Sequence, residues 1–276
     1  MRLLIWSELY KLVHQRMTYL ALAAILIIEG VVVFSAYFQG NAILDLLLEN
    51  LKDSFYFEGN LLNGHLLVYL ILNSLWFHLP LILMIVSAGL LTTEYKDKTL
   101  QMVMLQPINR ASFLISKYVV AIIFSLSVVL ILMATSMGVS YALFGGGDLV
   151  VYLGSLNFFT DQDAFHRILW AYGCGSLTVV FFSVVSVTIA VLVRETTIAW
   201  IASAFFLIVA NLLLKVDFGD GWIGKYSFVK LNDTWQQLFY QEINWAQIHI
   251  NNGLLVGYTI LFMVIGVIVF NRRDLV

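Results

Sequence analysis

TTEYKDKTLQMVMLQPINRASFLISK, residues Thr92–Lys117, is a polar segment set between two long apolar runs. It carries Lys96, Lys98, Arg110 and Lys117, a short apolar stretch from Leu100 to Leu105, and Pro107, which must stop any helix begun before it. Such a segment is too polar to cross hydrocarbon and reads as a cytoplasmic contact element held between two membrane helices. The composition around it agrees. Of 276 residues, 61% are apolar and 12% charged, against about half and about a quarter in soluble domains. Crossing about 30 Å of hydrocarbon takes roughly 20 helical residues, and six stretches are long enough: Met17–Phe38, Leu66–Leu91, Ser116–Phe144, Ile168–Val193, Thr197–Leu214 and Gly253–Phe270. The expected fold is an all-α integral membrane protein with six transmembrane helices in one domain covering 1–276.

Lys and Arg near span ends are retained on the cytoplasmic side, and acidic residues count for little. An even number of spans puts both termini on one face. That face holds Arg2, Lys11, Arg16, Lys96, Lys98, Arg110, Lys117, Arg194, Arg272 and Arg273, whereas the other holds Lys52, Arg167, Lys215, Lys225 and Lys230. Both termini are therefore expected in the cytoplasm, with most acidic residues outside. MRLLIWSELYKLVHQR, residues 1–16, brings Leu4, Trp6, Leu9 and Leu12 near one another with charges among them. This predicts an amphipathic helix lying in the inner interface. The following run exceeds a signal-peptide core and contains Glu29, which argues against a cleaved leader. The single cysteine, Cys174, excludes an internal disulfide.

Three outer loops differ in kind. Gln39–His65 contains an amphipathic candidate, Ile43–Leu51; Gly145–Arg167 opens with three glycines and is expected to be irregular. Lys215–Asn252 carries Trp222, Trp235 and Trp245, a density that suggests segments on the outer interface. Asn232 and Thr234 form a glycosylation sequon there.

Several motifs fail on chemistry. GDGWIGKY, Gly219–Tyr226, nearly matches a phosphate-binding loop, but Tyr226 stands where a small hydroxyl should meet magnesium. The five histidines form no zinc-binding pair, no Ser, Cys or Asp cluster supplies an activated nucleophile, and no basic surface suits nucleic acid. The chain is expected to have no catalytic site, metal or cofactor of its own. Glu29 near the middle of the first span and His78 in the second, beside Asn73 and Pro80, are ionisable groups inside hydrocarbon. They are either candidate lining of a translocation path or members of interhelical hydrogen bonds, and the bonds are the plainer explanation. Ser125, Gly138, Gly173, Ser176, Ser183, Ser186, Ala190, Ala202 and Ala210 are small residues that let helices approach closely.

Glu94, Tyr95, Thr99, Leu105, Pro107, Arg110 and Lys117 resemble the loop between the second and third spans of type-2 ABC transporter permeases. ELYKL, Glu8–Leu12, and FNRRDL, Phe270–Leu275, resemble that family's opening and close. One departure is Lys98, which stands where the family often has glycine before Thr99. The resemblance implies a bacterial inner-membrane permease that pairs with itself or a sister chain. It implies docking to two cytosolic ATPase subunits, which would carry ATP and magnesium. It also implies a short coupling helix in the first cytoplasmic loop, with Glu94, Lys98, Thr99, Leu100, Val103, Met104, Pro107 and Arg110 at the contact. The residues agree with such a helix: Lys98–Leu105 is too short to be stable alone, and Leu100, Val103 and Met104 can form one apolar face. Phe181, Phe182, Phe205 and Phe206 would suit a hydrophobic or amphipathic cargo, and export is the direction the family implies. The alternative is a non-transport membrane protein, either a signalling scaffold or a subunit of an intramembrane enzyme.

Overall fold

The computed structural model describes residues 1–48, 61–105, 107–214, 216 and 227–272, with the side chains of 41–48 excepted. Among these residues, six helices are long and apolar enough to cross a membrane. They are α2 (Arg16–Leu48), α3 (Gly64–Lys96), α5 (Arg110–Phe144), α6 (Asp161–Val193), α7 (Thr196–Leu214) and α9 (Trp245–Arg272). The short elements are α1 (Arg2–His14), α4 (Thr99–Met104), α8 (Phe228–Leu231) and a 3-10 turn at Thr234–Phe239. All six predicted spans lie within these helices, and most of the helices run further. At 33 residues, α3 is about 50 Å long, so its ends stand clear of the hydrocarbon. Its first turn is set by Asn63, whose side chain accepts from Leu66 N at 3.0 Å, and Asn109 caps α5 through Ala111 N at 2.9 Å. α2 bends at Gln39, where φ is −126°, and continues to Leu48. The rest of the Ile43–Leu51 candidate, the Gly219–Tyr226 motif and the terminal residues beyond Arg272 lie outside the described residues.

α6 is the centre of the bundle. Of its most apolar window 72% is buried, against 22% in α7 and in α9. Lipid is as apolar as leucine, so burying leucine draws no helices together there, and close approach and hydrogen bonds must do so. α6 supplies both. Ser136 on α5 bonds Tyr172 at 2.6 Å, Ser125 bonds Ser183 at 2.7 Å, and Tyr118 bonds Thr188 at 2.8 Å. Ser186 donates to the Met84 carbonyl of α3 at 2.6 Å and lies 2.9 Å from Ser203 of α7. Thr188 also reaches the Phe262 carbonyl of α9 at 3.1 Å. Gly175 lets Trp76 of α3 close in; a Cβ there would meet its ring at 3.3 Å. Of the small residues singled out above, Ser125, Ser183 and Ser186 are buried at these contacts, and Ala190 and Ala210 are buried elsewhere in the core. Gly138 and Gly173 face open space instead.

The face opposite α1 departs from expectation in three places. Gly145–Arg167 is not irregular: strands β1 (Leu149–Tyr152) and β2 (Leu156–Phe159) form an antiparallel hairpin, and α6 begins at Asp161. Alternation explains it, because Leu149, Val151, Asn157 and Phe159 point inward while Tyr152 and Phe158 point out. Trp235 is not at an interface; it is 1% exposed and packs with Trp76, Tyr69 and Phe239. Arg167 holds that segment down, donating to the carbonyls of Leu238 at 2.6 Å and Tyr240 at 2.8 Å and lying over the Phe159 ring. Asn232 and Thr234 are buried, so the sequon is closed to modification in this fold. Burial also pushes the Asp233 carboxyl above its ordinary value, against the lowering effect of a Trp76 hydrogen bond and Lys230.

The tightest backbone approach on that face is Gly64, whose N–H donates to Gly145 O at 2.8 Å. A Cβ there would meet that oxygen at 2.6 Å and also strike the Tyr141 ring. Gly64→Ala should therefore destabilise the protein by about 1–3 kcal/mol. Gly138→Ala, with open space around it, should be neutral or slightly stabilising. Thermal unfolding of both variants in one detergent checks the contrast.

Candidate functional site

Glu94, one of the expected contact residues, meets Glu8, Lys11 and Lys117 at the face that carries α1. Glu94 closes α3, Lys117 lies two turns into α5, and Glu8 and Lys11 are one turn apart on α1. Lys117 is 1% exposed, and its ammonium donates to Glu8 Oε2 and, at 2.7 Å, to Glu94 Oε1. Lys11 closes the ring, donating to Glu8 Oε1 at 2.7 Å and Glu94 Oε1 at 3.0 Å. Two cations and two carboxylates thus form a neutral quartet joining three helices, buried except at half-exposed Lys11, with Lys117 also 5.0 Å over the Phe113 ring. Pairing is what makes such burial tolerable, since an isolated buried charge loses its hydration without return. Burial pulls the Lys11 pKa down, but the hydrogen bond to Glu8 and the charges of Glu94 and Glu8 outweigh it and hold the group above its ordinary value.

This quartet explains how α1 sits. Ile5, Glu8, Leu9 and Leu12 face the bundle, whereas Leu3, Trp6, Tyr10 and Val13 are exposed on the other side. The helix therefore has two apolar stripes, and the expected grouping of Leu4, Trp6, Leu9 and Leu12 is divided between them. Of the quartet only Glu94 was among the expected contact residues; Glu8, Lys11 and Lys117 were not, and Glu8 is the one that ties α1 to the bundle. Its signal was present, a carboxylate at the i+3 and i−4 positions of Ile5 and Leu12 on a stripe otherwise apolar.

α4 lies beside the quartet, between α3 and a cleft of about 340 Å³ lined by Glu8, Lys11, Glu94, Asp97, Thr99 and Val103. Lys98 turns the chain into it with φ 55° and ψ 19°, a left-handed conformation that glycine adopts without strain. The departure from the permease pattern is thus a lysine in a backbone position suited to glycine. The apolar face differs from the one expected. Leu100 is 3% exposed and belongs to the core, Val103 and Met104 are half-buried, and the outward residues are Met102 at 68% and Leu105 at 87%. A six-residue helix docks its own fold with one side, leaving the other for any partner. Thr99, Pro107 and Arg110 are exposed on the same side of the bundle.

The remaining loops converge here. Arg194, also left-handed at φ 62°, ends α6 and lies 6.0 Å from the Tyr95 ring. Glu195 caps α7 by accepting from Ile198 N at 2.6 Å and Thr197 N at 3.0 Å, bonds that hold its carboxyl below the usual range. At the end of α9, Phe270 stacks on Phe113 at 6.0 Å, so both ends of the described chain reach this face. α4 packs on α3, which the quartet joins to α1 and α5.

Glu29 and His78 are not paired. Glu29 is 4% exposed in a groove between α2 and α5, where Thr135 Oγ1 lies 2.9 Å from Oε2. His78 is exposed on α3, with Nδ1 2.8 Å from the Ser74 carbonyl. The phenylalanines expected to suit cargo are mostly core: Phe181 and Phe182 are buried against Phe206, Phe228 and Phe262, and only Phe205, 65% exposed, faces outward.

A family model described as a protein of unknown function, DUF2705, matches residues 30–276, and the chain belongs to that family. It is also similar to the uncharacterized protein YhcI of Bacillus subtilis strain 168, 22% identical over 201 residues. The match takes in 69% of this chain and 63% of the Bacillus protein, so the chain spans less than two thirds of that relative's length.

Lys117→Met should cost about 3–5 kcal/mol, because it leaves Glu8 and Glu94 adjacent with only half-exposed Lys11 between them. Adding Glu8→Gln should recover part of that loss, a coupling read from a double-mutant cycle of detergent melting curves. Lys98→Gly should be tolerated, whereas Lys98→Ile should cost about 1–2 kcal/mol. The Lys11 contribution should persist through neutral pH and disappear only as pH rises beyond about 10.4 and through the raised folded value.

Proposed function

We propose that this DUF2705 member is the membrane-spanning permease subunit of an ATP-driven exporter in the bacterial plasma membrane. Both termini and the quartet lie in the cytoplasm in this reading, and ATP with magnesium belongs to a separate cytosolic ATPase. A second permease chain, the same or a sister, completes the translocation unit. The observation that carries the proposal is α4: a helix too short to stand alone, fastened by buried Leu100 and presenting Met102 and Leu105 outward. Methionine and leucine on a short rigid helix suit an apolar groove on a partner. The cation distribution and the motif resemblance supply the rest.

The mechanism follows from the connections of α4. ATP binding would draw two partner subunits together and move the docked helices. α3 continues from the end that carries α4 into the bundle, and the quartet couples it to α5 and α1. A displacement there would therefore reorient spans as a unit, switching access between the two sides. Bound nucleotide shifts that equilibrium only through contacts that differ between the states. The cargo class favoured is hydrophobic or amphipathic.

Affinity purification of the full-length tagged protein from its native membrane, with partners identified and ATP hydrolysis assayed, tests this. An ATPase should co-purify, and Met102→Asp or Leu105→Asp should reduce its recovery while leaving the amount of membrane-inserted chain unchanged. Leu100→Asp should instead lower the amount of folded chain. Recovery of intact protein with no nucleotide-binding partner would refute the transporter reading.

A further inference from the structure

The groove that holds Glu29 runs along α2 from Leu26 to Phe38, about 18 Å at 1.5 Å per residue, and is closed on the other side by Thr135, Val139 and Leu143 of α5. Its volume is about 510 Å³. Phe34, Tyr37 and Phe38 are more than 60% exposed along it, and Gly30 leaves its floor open, since a Cβ there would meet nothing within 4 Å. The lining is apolar or aromatic apart from two groups, Glu29 and Thr135. Thr135 serves Oε2 of the carboxylate; Oε1 is buried and has no hydrogen-bond partner among the described residues.

Among the described residues, no cation reaches that oxygen. Arg16 and the quartet are at one end of α2, about 20 Å away along the helix. A buried ionised carboxylate without a counter-charge is costly in hydrocarbon. Protonation would leave a hydroxyl donor still facing no acceptor. A positively charged head entering from the groove would answer both, while its tail lay against Leu26, Val33, Val139 and Leu143. The aromatic rings along the groove can face a cation as well. We propose that this groove is a binding site for a cationic amphiphile, one with an amine or quaternary ammonium head and a single apolar tail, recognised by Glu29. The proposal deepens the exporter reading, on which it rests only for what happens after binding.

Two substitutions separate charge from shape. Glu29→Gln keeps the size and loses the charge; Gly30→Leu adds bulk to the groove at a position where a Cβ meets nothing within 4 Å. The test uses the purified full-length chain in maltoside micelles with a photoreactive alkyl-trimethylammonium probe, and an uncharged alkyl alcohol probe of the same length. The ammonium probe should label peptides of α2 and α5 around Phe34–Phe38 and Val139–Leu143. Its affinity should fall about tenfold in Glu29→Gln, the loss of one charge contact, and by at least as much in Gly30→Leu. The alcohol should bind weakly and should not distinguish Glu29→Gln from wild type. Melting curves matching wild type for both variants guard against misfolding.

Equal labelling by alcohol and ammonium probes, or unchanged affinity in Glu29→Gln, would overturn the proposal. Displacement of the probe by phosphatidylcholine as readily as by free alkylammonium would assign the groove to ordinary bilayer lipid and also overturn it. So would a dimeric mass with the groove closed to both probes, which would assign it to a second copy. The outcome is separable from the exporter reading, because binding is measured without nucleotide or partner. Binding with no co-purifying ATPase would uphold the groove and refute the exporter, and the reverse pair would do the opposite.

Discussion

In hydrocarbon, burying leucine against leucine gains little over leaving it against lipid, so a polytopic protein must hold its helices by close contact and by polar groups that lipid cannot satisfy. α6 meets that constraint for four of the other spans. Its hydroxyls at Tyr172, Ser183, Ser186 and Thr188 reach α5, α3, α7 and α9. α2 and α7 bury only 28% and 22% of their most apolar windows, against 50% in α3. α2 and α7 therefore lie at the edge of the bundle, and the groove beside Glu29 is a consequence of that edge position.

A second constraint acts at the end of the bundle where α1 lies. Lys117 is buried where its ammonium cannot reach water, so it must have carboxylates, and the two it has come from different helices. Removing either partner leaves an uncompensated charge, which is why the quartet specifies how α1, α3 and α5 meet rather than merely adding stability. α4 hangs from the same junction. A helix of six residues has no stability of its own, so its position reports that of the junction. This makes the junction a suitable place for a partner to act on the membrane domain.

The opposite face is organised by neutral contacts and one clamp. The hairpin, the Trp235 cluster and Arg167 fold the loops back onto α3 and α6 instead of leaving them at the membrane surface. Aromatic density in a loop has two outcomes, packing inward or lying in the headgroups, and the balance depends on whether the bundle offers an apolar recess. Here Trp76 and Tyr69 of α3 offer one.

The sequence alone marked six stretches long and apolar enough to cross a membrane and their approximate extents, because crossing hydrocarbon requires an uninterrupted apolar helix and the composition allows few places for one. It also marked Thr92–Lys117 as the segment where polar chemistry gathers, and it marked Glu29 as an ionisable group that needs an explanation. Tertiary structure decided which side of each helix faces inward. Leu100 turned to the core while Met102 and Leu105 turned out, and α1 divided its apolar residues into two stripes around Glu8. Periodicity did not distinguish these faces, since in a membrane protein both the core side and the lipid side of a helix are apolar. The pairing of Glu8 with Lys117, 109 residues apart, was equally invisible, because a long-range ion pair leaves no local pattern and depends on three helices meeting at one point.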